Sequence, residues 1–102
     1  MRVGFKMKLH EGKEAEYKRR HDEIWPELSS LLKATGVSEY SIFLDETTSS
    51  LFGVLTIDNP VSLDDLPTHP VMQKWWKYMA DIMDTNAGSP VSIPLKEVFY
   101  LR

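Results

Sequence analysis

Cysteine is absent from the 102 residues, which excludes a disulfide framework, a thiolate nucleophile and a thiolate metal site. That absence fits a reducing compartment. Glycine is sparse, at five residues, and Gly4, Gly12, Gly36, Gly53 and Gly88 form no phosphate-cradling loop. No apolar run approaches bilayer length, and the alternating start Met1-Arg2-Val3-Gly4-Phe5-Lys6 is not the uninterrupted apolar segment of a secretory signal. The expected address is therefore cytoplasmic, with no membrane partner. The net charge is −3 and the 12 Lys and Arg lie scattered among 15 acids, so no basic stripe suits nucleic acid. HExxH, CxxC and a helical His pair at i, i+4 are all missing, so no metal is expected.

What the chain does have is aromatic weight: three Trp, four Tyr and four Phe within a 42% hydrophobic composition. That is enough for one core, and the length leaves no room for a second, so residues 1–102 are expected to form a single domain.

Val3, Phe5, Met7 and Leu9 alternate with polar or small residues, the period of a strand with one buried face. From Glu11 the period changes. Tyr17, His21, Ile24, Leu28 and Leu31 recur at steps of four and three, which predicts a helix running to about Ala34 with Gly36 as its stop. Pro26 removes a backbone donor and disfavours helix at Trp25, so a kink or break is expected just after His21. A hairpin follows. Tyr40, Ile42 and Leu44 share one face and Ser41 and Phe43 the other, then the polar stretch Asp45 to Ser50 leads into Leu51 to Ile57. Ser62 to Leu66 suggests a helical turn. Pro70 opens a second helix carrying Met72, Trp75, Met79 and Ile82, and Leu95 to Leu101 reads as the last strand.

The order β-α-β-β-α-β predicts an α+β, ferredoxin-like fold with two helices on one face of a four-stranded antiparallel sheet. Helices on one side leave the opposite face uncovered. Strands this rich in apolar residues make a face-to-face homodimer, a dimeric α/β-barrel-type assembly, the expected cover.

His21 shares a helix face with Tyr17, one turn earlier, and is a side chain able to exchange a proton near neutrality. Trp75 and Trp76 diverge by about 100 degrees, so one is expected in the core. The other, with Tyr17 and Tyr40, makes a flat apolar wall with polar tips, suited to a pyranose. A satisfied helix histidine and a plain aromatic core stay open as readings of the same residues. His10 and His69 read as surface or capping residues.

Several blocks together resemble the L-rhamnose mutarotase family: Tyr17-Lys18-Arg19-Arg20-His21, Ile24-Trp25-Pro26-Glu27-Leu28, Trp75-Trp76-Lys77-Tyr78-Met79, and Ser89-Pro90-Val91-Ser92 followed by Glu97-Val98-Phe99-Tyr100-Leu101. The match runs through almost the whole chain in the same order, except between about Asp58 and Pro70. The resemblance implies a cytoplasmic, cofactor-free isomerase of rhamnose metabolism, acting as a homodimer on the α and β anomers of L-rhamnose. It places the family's proton donor on His21 and its sugar contacts on Tyr17, Tyr40, Trp75 and Trp76. Two other readings of such a fold are a small monooxygenase and a non-catalytic sugar-binding module.

Overall fold

The computed structural model describes residues 1–102. Strand β1 (Arg2–Lys8) leads into helices α1 (Glu14–Asp22) and α2 (Pro26–Ala34), then strands β2 (Val37–Asp45) and β3 (Ser50–Ile57). A 3₁₀ helix (Pro60–Thr68) precedes α3 (Pro70–Met79), and the short strands β4 (Thr85–Asn86), β5 (Ser89–Pro90) and β6 (Ile93–Leu95) close the chain. The main sheet has the order β2-β3-β1-β6 and all its pairings are antiparallel. This is the expected split βαβ arrangement.

The break after His21 has the physical cause the sequence carries. Trp25, preceding Pro26, is extended at φ −62 and ψ 133, and α1 ends at Asp22, so what reads as one helix is two. Pro26 opens α2, where its missing N–H is harmless. Gly36 then turns the chain into β2 at φ +105, a left-handed conformation that a side chain would strain.

Register decides which residues face the helices. Phe5 lies opposite Gly53, Met7 opposite Leu51, and Tyr40, Ile42 and Leu44 opposite Leu55, Gly53 and Leu51. These positions share the inner face, and Ser41 and Phe43 turn outward. Leu9, Leu28, Leu51, Ile57, Met79 and Ile82 are fully buried between the layers. Gly53 has a specific reason. A Cβ there would sit 2.3 Å from the Phe5 ring, so glycine lets that ring lie across β3, where it meets Tyr40 edge-on at 6.0 Å.

The last strand differs from the expectation. Ile93–Leu95 pairs with β1, whereas Lys96 to Arg102 joins no strand. The antiparallel register sets Gly4 opposite Leu95, so by Val98 the chain has run past the start of β1 and has no partner edge left. Pro94 also cannot donate to a ladder. Val98 to Leu101 form an apolar run, yet Val98, Phe99, Tyr100 and Leu101 are all exposed. Tyr100 lies under Arg2, with the guanidinium 3.9 Å from its ring centre.

Candidate active site

A cavity of about 1060 Å³ opens between the helices and the inner face of the sheet. Its wall is mostly apolar, and it gathers Tyr17, His21, Tyr40, Trp75 and Trp76, the five candidates singled out in the sequence. Three elements supply them: α1, β2 and α3.

On α1 the Tyr17 and His21 rings lie 4.3 Å apart at 31°, one helical turn bringing them together. Nδ1 of His21 is 3.0 Å from the Tyr17 carbonyl oxygen. Trp75 meets His21 edge-on at 5.4 Å and Trp25 edge-on at 5.1 Å, and Trp25 stacks on Tyr78 at 5.5 Å. Buried to 5% exposure, Trp75 is the structural member of the tryptophan pair. Trp76 is half-buried and lines the cavity.

Polar satisfaction separates the interior from the tips. No buried side-chain nitrogen or oxygen lacks a hydrogen-bond partner. Nε2 of His21 and the hydroxyls of Tyr17 and Tyr40 bond to no protein atom, so His21 Nε2 and the Tyr17 hydroxyl must reach open space. Tyr40 is 38% exposed, and the space it meets includes the cavity it lines. Burial lowers the His21 pKa from its ordinary value of 6.5, a shift opposed by the Tyr17 carbonyl and by Asp22. Burial also raises the pKa values of Tyr17 and Tyr40, so both stay phenols. The cavity thus presents neutral donors and acceptors on an aromatic wall.

Arg20, the residue before His21, is a feature that composition and spacing do not single out. It is 8% exposed and bridges α1 to the end of α3. Its guanidinium reaches Asp81 at 2.9 and 3.2 Å, the Tyr78 carbonyl at 2.8 Å and Glu16 at 2.8 Å, and lies 4.4 Å from the Tyr78 ring centre. Hydrogen bonds from Arg19 and then Arg20 hold the Glu16 carboxyl down at about 2. Tyr17, His21, Trp75, Trp25, Tyr78 and Arg20 therefore form one continuous stack that fixes α1 against α3. Its sequence signal was a basic residue one step from the helix face, easily taken for a solvated one.

The other histidines lie outside the cavity. His10 bonds the Asp81 carbonyl and Asp84, and His69 caps α3 by accepting from the Val71 N–H at 3.3 Å. No group of three or more His, Asp or Glu stands close enough to hold a metal ion.

Topology and site together define the class: a ferredoxin-like α+β protein with a mostly apolar cavity, aromatic rings and one histidine in its wall. A Jannaschia protein described as a dimeric ferredoxin-like protein matches with a TM-score of 0.60 over 95% of this chain and 100% of its own, at 14% identity, which speaks to fold alone. The family follows from nearer matches. The family model for L-rhamnose mutarotase matches residues 2–101. A Brucella anthropi protein named L-rhamnose mutarotase is 63% identical over 98% of this chain and 95% of its own length. The crystal structure of an L-rhamnose mutarotase from Formosa agariphila superposes with a TM-score of 0.93 at 52% identity, covering 100% of this chain and 99% of that one. The chain belongs to the L-rhamnose mutarotase family.

Proposed function

We propose that this protein is an isomerase that interconverts the α and β anomers of L-rhamnose by opening and reclosing the pyranose ring in the cavity between helices and sheet. The observation that carries the reading is the set of three unpartnered polar tips, His21 Nε2 and the Tyr17 and Tyr40 hydroxyls, beside Trp75 and Trp76 in a member of this family. Ring C–H bonds pack on the aromatic faces while the sugar hydroxyls meet uncharged donors and acceptors. His21 is the proton donor to the ring oxygen. Tyr17, Tyr40, Trp75 and Trp76 hold the sugar. Mutarotation needs only proton transfers, so the mechanism invokes no cofactor or metal.

The functional unit in this reading is a homodimer of single-domain subunits, paired through the outer sheet face, where Phe43, Val54, Ile93 and Leu95 are exposed. No helix is long and apolar enough to cross a membrane. A cytoplasmic address accompanies the cysteine-free composition and a role in sugar metabolism.

Saturation-transfer NMR on L-rhamnose at anomeric equilibrium tests the activity. The protein should accelerate α-to-β exchange in proportion to its concentration, and His21→Ala should lower turnover by about 10²–10⁴-fold with sugar binding retained. Bound sugar with exchange at the buffer rate would instead favour a binding module. Membership of the mutarotase family leaves the monooxygenase reading with no support beyond a shared fold.

A further inference from the structure

We infer that His21 is the sole proton carrier of the site: Nε2 takes the proton from the anomeric hydroxyl and delivers it to the ring oxygen, so no second acid or base takes part. This rests on the mutarotation proposed above and specifies where the donated proton comes from.

The tautomer is the first step of the argument. The group facing Nδ1 is the Tyr17 carbonyl oxygen at 3.0 Å, and a carbonyl can only accept. Nδ1 therefore carries a hydrogen in the neutral ring, and Nε2, which has no protein partner, carries the lone pair. A backbone atom of the same helix sets this arrangement, so it does not depend on a mobile side chain. Burial favours the neutral ring at pH 7. A histidine in this state starts the reaction as a base. To donate, it must first be loaded, and the nearest available proton is the sugar's own.

None of the other titratable side chains that line the cavity is hydrogen-bonded to His21. On α1, Lys18 and Asp22 pair with each other at 2.8 Å, and both are exposed. Glu14, also on α1, lines the cavity half-buried two turns before His21, Lys33, Glu39 and Glu46 line it at exposed positions, and α3 presents Trp75, which carries no charge. Tyr17 and Tyr40 remain, with phenols that burial makes harder to ionise, so they serve as neutral hydrogen-bond partners.

Substrate chemistry closes the argument. The anomeric hydroxyl oxygen and the ring oxygen are bonded to the same carbon, so one nitrogen can serve both with a small shift of the sugar. The hydroxyl proton moves to Nε2 and its O–H electron pair becomes the second carbon–oxygen bond of the aldehyde. The ring carbon–oxygen bond breaks with its electrons going to the ring oxygen, which then takes the proton from Nε2–H. The products are the open-chain hydroxyaldehyde and neutral imidazole. After rotation of the aldehyde, closure retraces the steps on its other face. No residue ends with a changed charge.

Three readouts test the shuttle in the full-length protein. In substrate-free protein at pH 7, a nitrogen-15 correlation spectrum of the imidazoles should find the His21 hydrogen on Nδ1 and Nε2 bare; a hydrogen on Nε2 overturns the proposal. The pH profile of kcat/KM for anomer exchange should fall only on the acid side, below the ordinary histidine range of about 6.5, and stay level from about pH 7 to 9. A fall above neutrality would mean a preformed imidazolium and overturn it. Tyr17→Phe, Tyr40→Phe and Glu14→Gln should each lower kcat less than about tenfold, the two tyrosine variants with a raised KM; a kcat loss in any of them that matches His21→Ala, about 10²–10⁴-fold, reveals a second carrier and overturns it. Failure of the wild-type protein to accelerate exchange would overturn the mutarotase reading and the shuttle together. Normal exchange with the wrong tautomer, an alkaline limb or an essential phenol overturns the shuttle alone.

Discussion

On the helix-covered face of the sheet Met7, Leu51, Leu55 and Ile57 are buried, whereas on the opposite face Phe43, Val54, Ile93 and Leu95 are exposed. Both faces come from one period-two alternation in the same strands. The difference lies in what each face meets. The inner face meets α1, α2 and α3, and where packing stops short it leaves a cavity edged by Tyr17, His21 and Tyr40. The outer face meets no element of its own chain, and the exposed Val98, Phe99 and Leu101 add to the apolar surface. The proposed chemistry uses the face where aromatic rings end in polar tips, and the proposed association uses the face where apolar side chains end in solvent.

The strongest way to break that contrast is a charge on the outer face. Phe43→Asp puts an ionised carboxylate where the homodimer would bury a ring, and two-fold symmetry introduces it twice. At roughly 2 kcal/mol per copy the penalty is about 4 kcal/mol, or about a thousandfold in the dimer dissociation constant. Light scattering across a concentration series should show dimer for the parent, as the homodimer proposal requires, and monomer for Phe43→Asp. A Phe43→Asp protein as dimeric as its parent would place the interface elsewhere.

Arg20→Ala tests the inner face. It removes charge-assisted bonds to Asp81 and Glu16, a bond to the Tyr78 carbonyl and the contact with the Tyr78 ring. The carboxylates left behind are not buried and can hydrate, so the expected cost is about 2–3 kcal/mol and not that of a stranded interior charge. Urea unfolding measures it. Because the same residue anchors the stack running through Trp75 to His21, exchange should slow in the folded variant, and unchanged exchange would uncouple the stack from the site.

Gly53→Val is the finer probe, since its side chain would collide with the Phe5 ring that packs against Tyr40. Overpacking of this kind costs about 1–3 kcal/mol. The displaced ring should disturb Tyr40 and raise KM more than it lowers kcat. Valine tolerated without either change would mean that Phe5 has another resting place.

The same contrast explains what was legible in the sequence. Strand β1, the β2–β3 hairpin and α3 carry a clean periodicity and sit where it predicts, except that α3 ends at Met79 and leaves Ile82 in the turn beyond it, and Pro26 announces the helix break. The five candidates of the site share helix faces or strand faces that a periodic reading can gather, and they line one cavity. Arg20 escaped because its burial depends on Asp81 and Tyr78, about sixty residues away, and no local pattern reports such a partner. The segment from Lys96 to Leu101 was misread for the opposite reason. Its apolar run from Val98 to Leu101 is local and real, but a strand needs an edge to pair with, and by Val98 the chain has passed the start of β1.

The smallest expected effect is on the acid dependence of stability, and it separates cavity from surface. His21 has its pKa lowered by burial, so as pH falls below about 6.5 the unfolded chain takes up a proton that the folded one resists. Its contribution is present above that value and is lost as pH falls through the folded pKa. Glu16 acts in a lower window. Its folded pKa is held at about 2 by the two arginines against an ordinary 4.5, so its contribution is present above 4.5 and fades as pH falls toward 2. Solvent around Glu16 screens these pairs, which makes its share the weaker. Urea unfolding at pH 7, 5.5, 4 and 3 should show the first decline flattened in His21→Gln and the second in Glu16→Gln. Parental slopes in His21→Gln would mean that the imidazole titrates alike in the folded and unfolded chain, and the cavity would lose its claim to hold a neutral histidine.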